Sequence, residues 1–393
     1  MRLSALKLTA IILFFCCLSS VTLAQSAQPI NVVTTAVPFL RISPDARSGG
    51  MGDLGVATSP DPSSGLWNIG KVVFNESKGG ITATYTPWLK QIVGDVYLAS
   101  LMGYYKFAEN QAVSGALRYF SLGDIAFTDG AGNPIGNFRP REFGLDIGYS
   151  RKLTDKLGVG VALKYINSNL AGGYASNGNT YKAGNAVAAD IAVYNDGKND
   201  AGNGWTWGVA LTNLGSKISY TNNANAKDFI PANLGIGATY TRKPNESNQV
   251  TFGIDINKLL VPTPPLDANG NFPSQAAIDE YRKKSVISGW FSSFGDAPNG
   301  FSEELKEFQI SLGAEYWYNN QFALRAGYFY EDKTKGNRKY FTMGVGVKYN
   351  VFGLNFSYLL PSGSGVSQNP LSNTLRFSIV FDLDNSGSST EAK

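Results

Sequence analysis

Two glycine-rich stretches near the start of the chain have the spacing of phosphate cradles. Gly50, Gly52 and Gly55 match the dinucleotide fingerprint, which lets a backbone approach a pyrophosphate at a helix N-terminus. That chemistry needs a buried strand before the glycines and a helix after them. Here Ser43, Pro44 and Asp45 precede, and Pro60, Asp61 and Pro62 follow, so the context for nucleotide binding is missing. Gly65, Gly70 and Lys71 have the outline of a phosphate loop, but Val72 occupies the place of the hydroxyl that would hold magnesium.

The chain has no histidine, which excludes Ser-His-Asp and Cys-His catalysis and every histidine metal site. A membrane-embedded lipid hydrolase of the serine–histidine kind falls with it. Carboxylates remain. Asp45, Asp53 and Asp61 could serve as acids, but loop carboxylates are far more often caps and turn formers. Asp196, Asn199 and Asp200 could ligate calcium, though a polar turn is the simpler reading. Neither a cofactor nor a metal is expected.

The elements around these residues are strands. Fourteen stretches alternate apolar and polar residues with period two: 80–88, 94–107, 111–122, 141–152, 156–168, 184–195, 204–214, 232–242, 248–257, 306–318, 321–331, 339–350, 352–360 and 371–383. In one, Phe143, Leu145, Ile147 and Tyr149 share a face opposite Gly144, Asp146 and Gly148. In another, Val250, Phe252, Ile254 and Ile256 oppose Thr251, Gly253 and Asp255. Several run 10 to 14 residues, long enough for the 9 to 11 a tilted strand needs to cross a bilayer. Connections after even-numbered strands are mostly tight and those after odd-numbered ones mostly long, the asymmetry of outer-membrane barrels. An even strand count puts both termini on the periplasmic side.

The polar faces point to a lumen. Lys164, Arg325 and Arg376 sit in the inward phase, with Glu315 and Asp255 as opposite charges. At mid-depth on the lipid side an Arg or Lys would cost about 2–4 kcal/mol. Outward runs such as Phe308, Ile310, Leu312, Ala314, Tyr316 and Tyr318 end in aromatics, as interfacial girdles do. Aromatic residues reach 12% while charged residues are only 16%, below the usual share of about 25%.

The organisation expected is a signal peptide at 1–24, a plug at 25–79, the barrel at 80–383 and a polar tail at 384–393. Arg2 and Lys7, the apolar run Leu8 to Leu23 and the small residues ending at Ala24 read as an export signal. Phe15 before Cys16 speaks against lipidation, so Cys16 and Cys17 leave with the signal. The remainder keeps 32 of the 34 basic residues against 30 acidic ones, too even to imply nucleic acid. The glycine- and proline-rich stretch 25–79 is too long for a linker and carries Phe39, Leu40, Leu54, Leu66 and Trp67, hence a compact plug.

The long connection 258–305 is not bland. Ser274–Ser288 reads as an amphipathic helix, and Phe272, Trp290, Phe291, Phe294 and Phe301 surround it. Such rings either pack over the barrel mouth or meet a partner. Phe272, Trp290, Phe291 and Phe294 are the candidate partner-binding residues.

The stretch from Phe39 through Arg41, Pro44, Gly49, Gly50, Met51, Gly52 and Gly55 to Ala57, continuing to Gly65, Leu66, Trp67 and Asn68, resembles the PorV family. So does the run Thr212, Asn213, Leu214, Gly215 to Tyr220, followed by Asp228 to Asn233. The sister family PorQ shares the N-terminal style. The resemblance implies an all-β fold, a 14-stranded antiparallel transmembrane barrel related to FadL-type barrels, in the Bacteroidota outer membrane. It further implies a non-enzymatic part of the type IX secretion system. Such a protein binds a SprA-type translocon, receives cargo with a C-terminal signal domain and delivers it to a PorU-type attachment protein. The competing expectation is a FadL-like channel for hydrophobic small molecules, with the N-terminal segment as gate.

Overall fold

The computed structural model describes residues 30–383 apart from 89–93, 129–130, 174, 177–178, 224–226, 267–273 and 362–372. The expected signal peptide, the polar tail and Phe272 therefore lie outside the described residues. Fourteen antiparallel strands close into one barrel: β1 (Gly79–Pro87), β2 (Val96–Ala108), β3 (Gln111–Leu122), β4 (Arg141–Lys152), β5 (Leu157–Asn169), β6 (Gly184–Asp196) and β7 (Gly204–Gly215) form half of the wall. The other half is β8 (Asn233–Asn245), β9 (Asn248–Leu259), β10 (Gln309–Tyr318), β11 (Phe322–Tyr330), β12 (Lys339–Tyr349), β13 (Phe352–Pro361) and β14 (Leu375–Leu383). Each strand pairs with its sequence neighbours, and β1 meets β14 from Gly79 opposite Leu383 to Tyr85 opposite Phe377. Closure leaves the barrel wall itself without an edge strand. Two small hairpins, Ile125–Thr128 with Pro134–Phe138 and Ala175–Ser176 with Asn179–Thr180, sit in long connections.

Every expected strand is present, most within two residues of its bounds. The alternation has the expected sense. Leu145 and Ile147 face outward and exposed, while Gly144, Asp146 and Gly148 are buried inward. Aromatic rings gather near both strand ends on the outside. Tyr85, Tyr97 and Tyr119 form a file at the long-connection end, with centroids 5.4 and 6.2 Å apart. Trp205 with Tyr240 at 5.0 Å and Phe352 with Phe381 at 5.3 Å mark the tight-turn end. That is the girdle pattern of outer-membrane barrels. The tight turn at Asn319 and Asn320 places both residues at φ 52° and 53°, the left-handed pair whose twist suits a hairpin.

The described chain begins at the long-connection end, where the Asn31 amide donates to the Thr334 carbonyl at 3.0 Å. It then runs through the lumen to the tight-turn end. It contains a 3₁₀ turn (Pro38–Arg41), the short helix α1 (Ala46–Gly49) and two further 3₁₀ turns, Ser64–Leu66 and Ile69–Phe74. Asp45 caps α1 by accepting from the Ser48 amide at 2.8 Å.

The expected helix Ser274–Ser288 is instead two helices, α2 (Gln275–Lys283) and α3 (Val286–Ser292). Lys284 adopts extended backbone, and the Ser285 hydroxyl caps the second helix by accepting from the Ser288 amide at 3.1 Å. The serine read as helix interior is an N-cap. The strand expected from 306 begins only at Gln309, because Phe301–Glu304 forms α4 and Leu305–Glu307 a 3₁₀ turn.

Candidate functional site

The lumen is lined by hydroxyls, small residues and a few charges. Successive inward positions of β1 are Thr82, Thr84 and Thr86, all buried. Glycines stand in the wall where the N-terminal segment comes closest. A Cβ built on Gly327 would lie 2.1 Å from the Gly52 nitrogen, and one on Gly160 would lie 2.8 Å from the Ile69 carbonyl. Gly52 has φ +70°, which a side chain would strain. The spacing Gly50, Gly52 and Gly55 therefore serves backbone-to-wall packing, with Gly55 lying under the Trp67 ring.

The segment is fastened by charge as well as by shape. Arg47 donates from Nε to Glu315 Oε1 at 2.9 Å and from Nη2 to Glu315 Oε2 at 2.8 Å. It also donates to Asp61 and to the Ser59 carbonyl, each at 2.9 Å, and to the Ser59 hydroxyl at 2.6 Å. Glu315 receives Arg325 Nε at 2.8 Å from its cross-strand partner position. Asp255 accepts the Gly55 and Val56 amides at 2.7 and 2.8 Å. Ser378 accepts the Ala46 amide and Thr342 the Gly52 amide, at 2.9 and 2.8 Å. The carboxylates considered as acids are thus structural. Asp45 also accepts the Trp67 indole at 2.7 Å, Asp61 serves Arg47 and Ser63, and Asp53 accepts the Tyr340 hydroxyl at 2.6 Å. Asp196 and Asn199 likewise bind amides of their own turn.

The inward charges read from alternation each face an opposite charge or backbone donors, although Arg376 Nε and Nη1 keep no hydrogen-bond partner. Lys164 reaches Asp146 at 3.1 Å, Asp190 at 3.2 Å and the Asn213 amide oxygen at 2.6 Å. Asn213, at φ 56°, forms a bulge in β7, and its own amide donates to Asp190. Arg376 is fully buried and faces Asp53 at 3.8 Å. The partners Arg47 and Asp53 come from the N-terminal segment, beyond the reach of any strand periodicity.

A second polar cluster ties the long connection between β9 and β10 to the barrel rim. Lys258 donates to Glu304 at 2.6 Å and Glu307 at 2.7 Å. Lys335 donates to Glu303 at 2.6 Å and Glu307 at 2.9 Å, and Thr263 to Glu307 at 2.8 Å. Burial pushes the Glu307 carboxyl up, but the hydrogen bonds from Lys258 and Lys335 outweigh it and hold it below the ordinary carboxylate range. Glu303 is held low in the same way, burial opposed by Lys335 and Asn299. Alternation missed this cluster because Lys258 to Val261 are buried in succession under the loop, so period two stops there.

Above this cluster α3 presents rings outward. Phe291 is 76% exposed and Phe294 47%, while Trp290 is half-buried. Ile287, Phe301 and Leu305 add exposed apolar surface on the same connection. Gly289 is the buried contact of α3, where an added Cβ would sit 3.0 Å from Phe229 and 3.1 Å from Pro262. Three of the four candidate partner residues thus share one loop surface.

The family model described as "Type IX secretion system protein PorV" matches residues 25–266. Among curated proteins nothing matches. Among solved structures, the toluene transporter TbuX of Ralstonia pickettii is similar with a TM-score of 0.51 at 13% identity, covering 86% of this chain and 97% of that one. The toluene transporter TodX of Pseudomonas putida gives 0.49 at 11% identity, over 87% and 99% of the two chains. A FadL homologue of Pseudomonas aeruginosa gives 0.43 at 10% identity, over 90% and 100%. At these identities the likeness to TbuX speaks for the fold alone, a closed antiparallel β-barrel.

Proposed function

The chain belongs to the PorV family of the type IX secretion system, an outer-membrane barrel, and on that premise we propose that it works by presenting surfaces to partners and catalyses nothing. The proposed partners are a SprA-type translocon, cargo carrying a C-terminal signal domain and a PorU-type attachment protein, to which the cargo is delivered. The observation that carries the reading is the filled lumen. Residues 40–55 bond to the wall from β3 round to β14, which leaves little room for a polypeptide inside the barrel and favours handling at its ends. We assign this segment as a plug. On this reading the long connections face outward, and the start of β1 and the end of β14 face the periplasm. Trp290, Phe291 and Phe294 are the anchors, being the type of residue that dominates interfaces; Phe272 belongs to the same proposed set.

The test replaces Trp290, Phe291 and Phe294 with serine. The variant barrel should keep its heat resistance on gels and lose translocon or cargo from a pull-down out of native membranes. A complex recovered intact refutes the loop as the contact. A variant that loses heat resistance instead shows that the rings only cap the mouth. The second reading, a channel for hydrophobic small molecules, is favoured by a lumenal cavity of about 110 Å³ beside Trp67. Uptake of long-chain fatty acid by reconstituted protein would establish that reading over the first.

A further inference from the structure

The cavity of about 110 Å³ lies between the N-terminal segment and the wall, and its lining is unusually cationic. Arg41, Arg118 and Arg338 all border it, against a single carboxylate, Asp53. Asp53 accepts from Tyr340 at 2.6 Å through Oδ2, while its buried Oδ1 has no hydrogen-bond partner and faces Arg376 at 3.8 Å. Glu331 behind the cavity is taken in a bidentate grip by Arg338, at 2.8 Å to each oxygen. Arg41 is left with only a 3.5 Å approach to one of those occupied oxygens, and its buried Nη2 has no hydrogen-bond partner. The buried Nε of Arg118 has none either; its Nη1 donates to the Leu40 carbonyl at 3.1 Å, and its Nη2 faces Asp146 at 3.8 Å, beyond hydrogen-bond distance.

Two buried guanidinium N–H groups without acceptors around one cavity are an unmet demand for an anion. Burial, and then the neighbouring Arg338, pull Arg41 down to about 10, as expected of a cation lacking full compensation. The other walls are mixed: Leu40, Ile42, Val56, Trp67 and Phe329 supply an apolar side, and Thr212, Asn233, Asn257 and Gln309 a polar one. The volume is below the roughly 150 Å³ of an engineered cavity that holds benzene. We infer that this cavity is a binding site for a small organic carboxylate, its head between Arg41 and Arg118 and a tail of a few carbons against the apolar wall. Arg offers carboxylate a planar, paired set of donors, so the head is read by shape as well as charge. The site is independent of the loop interface and does not need the chain to act as a channel.

The experiment uses the full chain purified in detergent and titrated by calorimetry. Trp67 fluorescence serves as a second readout, since its ring lines the cavity. The probes are butyrate, the uncharged butyramide, decanoate and inorganic phosphate. Butyrate should bind saturably, butyramide should not, phosphate should displace butyrate only weakly, and decanoate should gain nothing from its extra length. Arg41→Gln should weaken butyrate about tenfold or more while heat resistance of the barrel is retained, and Arg41→Lys should recover part of the affinity. Equal binding of butyramide, unchanged affinity in Arg41→Gln, or absence of saturable butyrate binding would overturn the site. Phosphate competing as well as butyrate would overturn the acyl wall, and much tighter decanoate would overturn the size limit.

Discussion

Replacing Arg47 with alanine tests the attachment of the N-terminal segment most directly. The substitution removes five hydrogen bonds, two of them a bidentate grip on Glu315, and leaves Glu315 and Asp61 short of a buried counter-charge. Breaking a buried ion pair from one side costs about 3–5 kcal/mol. Glu315 keeps Arg325 at 2.8 Å, and Asp61 keeps the Ser63 amide and hydroxyl, so the low end applies. A loss of about 3 kcal/mol lowers the docking equilibrium of the segment by a factor of roughly 150. Hydrogen exchange reads that factor locally, because the Ala46, Gly52, Gly55 and Val56 amides are all bonded to wall side chains. Their protection should fall by about two orders of magnitude in the variant, with the wall strands unchanged. Arg47→Lys should fall between, keeping the charge and losing the fork. Protection of these four amides equal to that of the unaltered protein would refute the reasoning.

Gly327→Val places carbons where the Gly52 backbone lies, and should displace the segment and lower heat resistance on gels; unchanged mobility would show that the contact is dispensable. Leu163 is 73% exposed at the middle of β5, so Leu163→Arg should cost about 2–4 kcal/mol in refolding into liposomes, whereas an Arg at exposed Leu153 near the tight-turn end should cost little. Glu303 and Glu307 have folded values below the ordinary one near 4.5, so they stabilise the loop above that pH and lose the contribution as acid passes through their lowered values. Trp290 fluorescence should therefore report loosening only below about pH 4.5, and Lys335→Met, which takes away the cation both carboxylates share, should weaken that transition.

The wall was legible because a strand that faces lipid on one side and water or protein on the other must alternate, and nothing in Phe143 to Tyr149 or Val250 to Ile256 obscures it. Lys164, Arg325 and Arg376 announced the lumen by their phase alone. The fastening of the interior was not legible, since Glu315 meets Arg47 across 268 residues and Gly327 meets Gly52 through backbone contact without any side-chain signature. The break at Lys284 was hidden by an apolar spacing that both α2 and α3 satisfy; only the hydroxyl of Ser285, a residue equally at home inside a helix surface, marked it. Where the loop covers both faces of the chain from Lys258 to Val261, alternation carries no information at all.

The path of the N-terminal segment has a consequence for how the molecule is made. Residues 46–57 bond mainly to β7 through β14, at Thr206, Asp255, Glu315, Thr342 and Ser378. Residues 65–74 lie against β3 through β6, at Ser114, Ser150, Gly160 and Tyr194. The first part of the polypeptide to be synthesised is thus a template written for both halves of a wall that does not yet exist. The late strands can settle only on a surface that the early strands have already helped to hold, so closure of the seam between β1 and β14 becomes one cooperative event. Two halves of the chain, split in the turn at Asn199, should therefore assemble with each other, while neither half alone should yield a heat-resistant product.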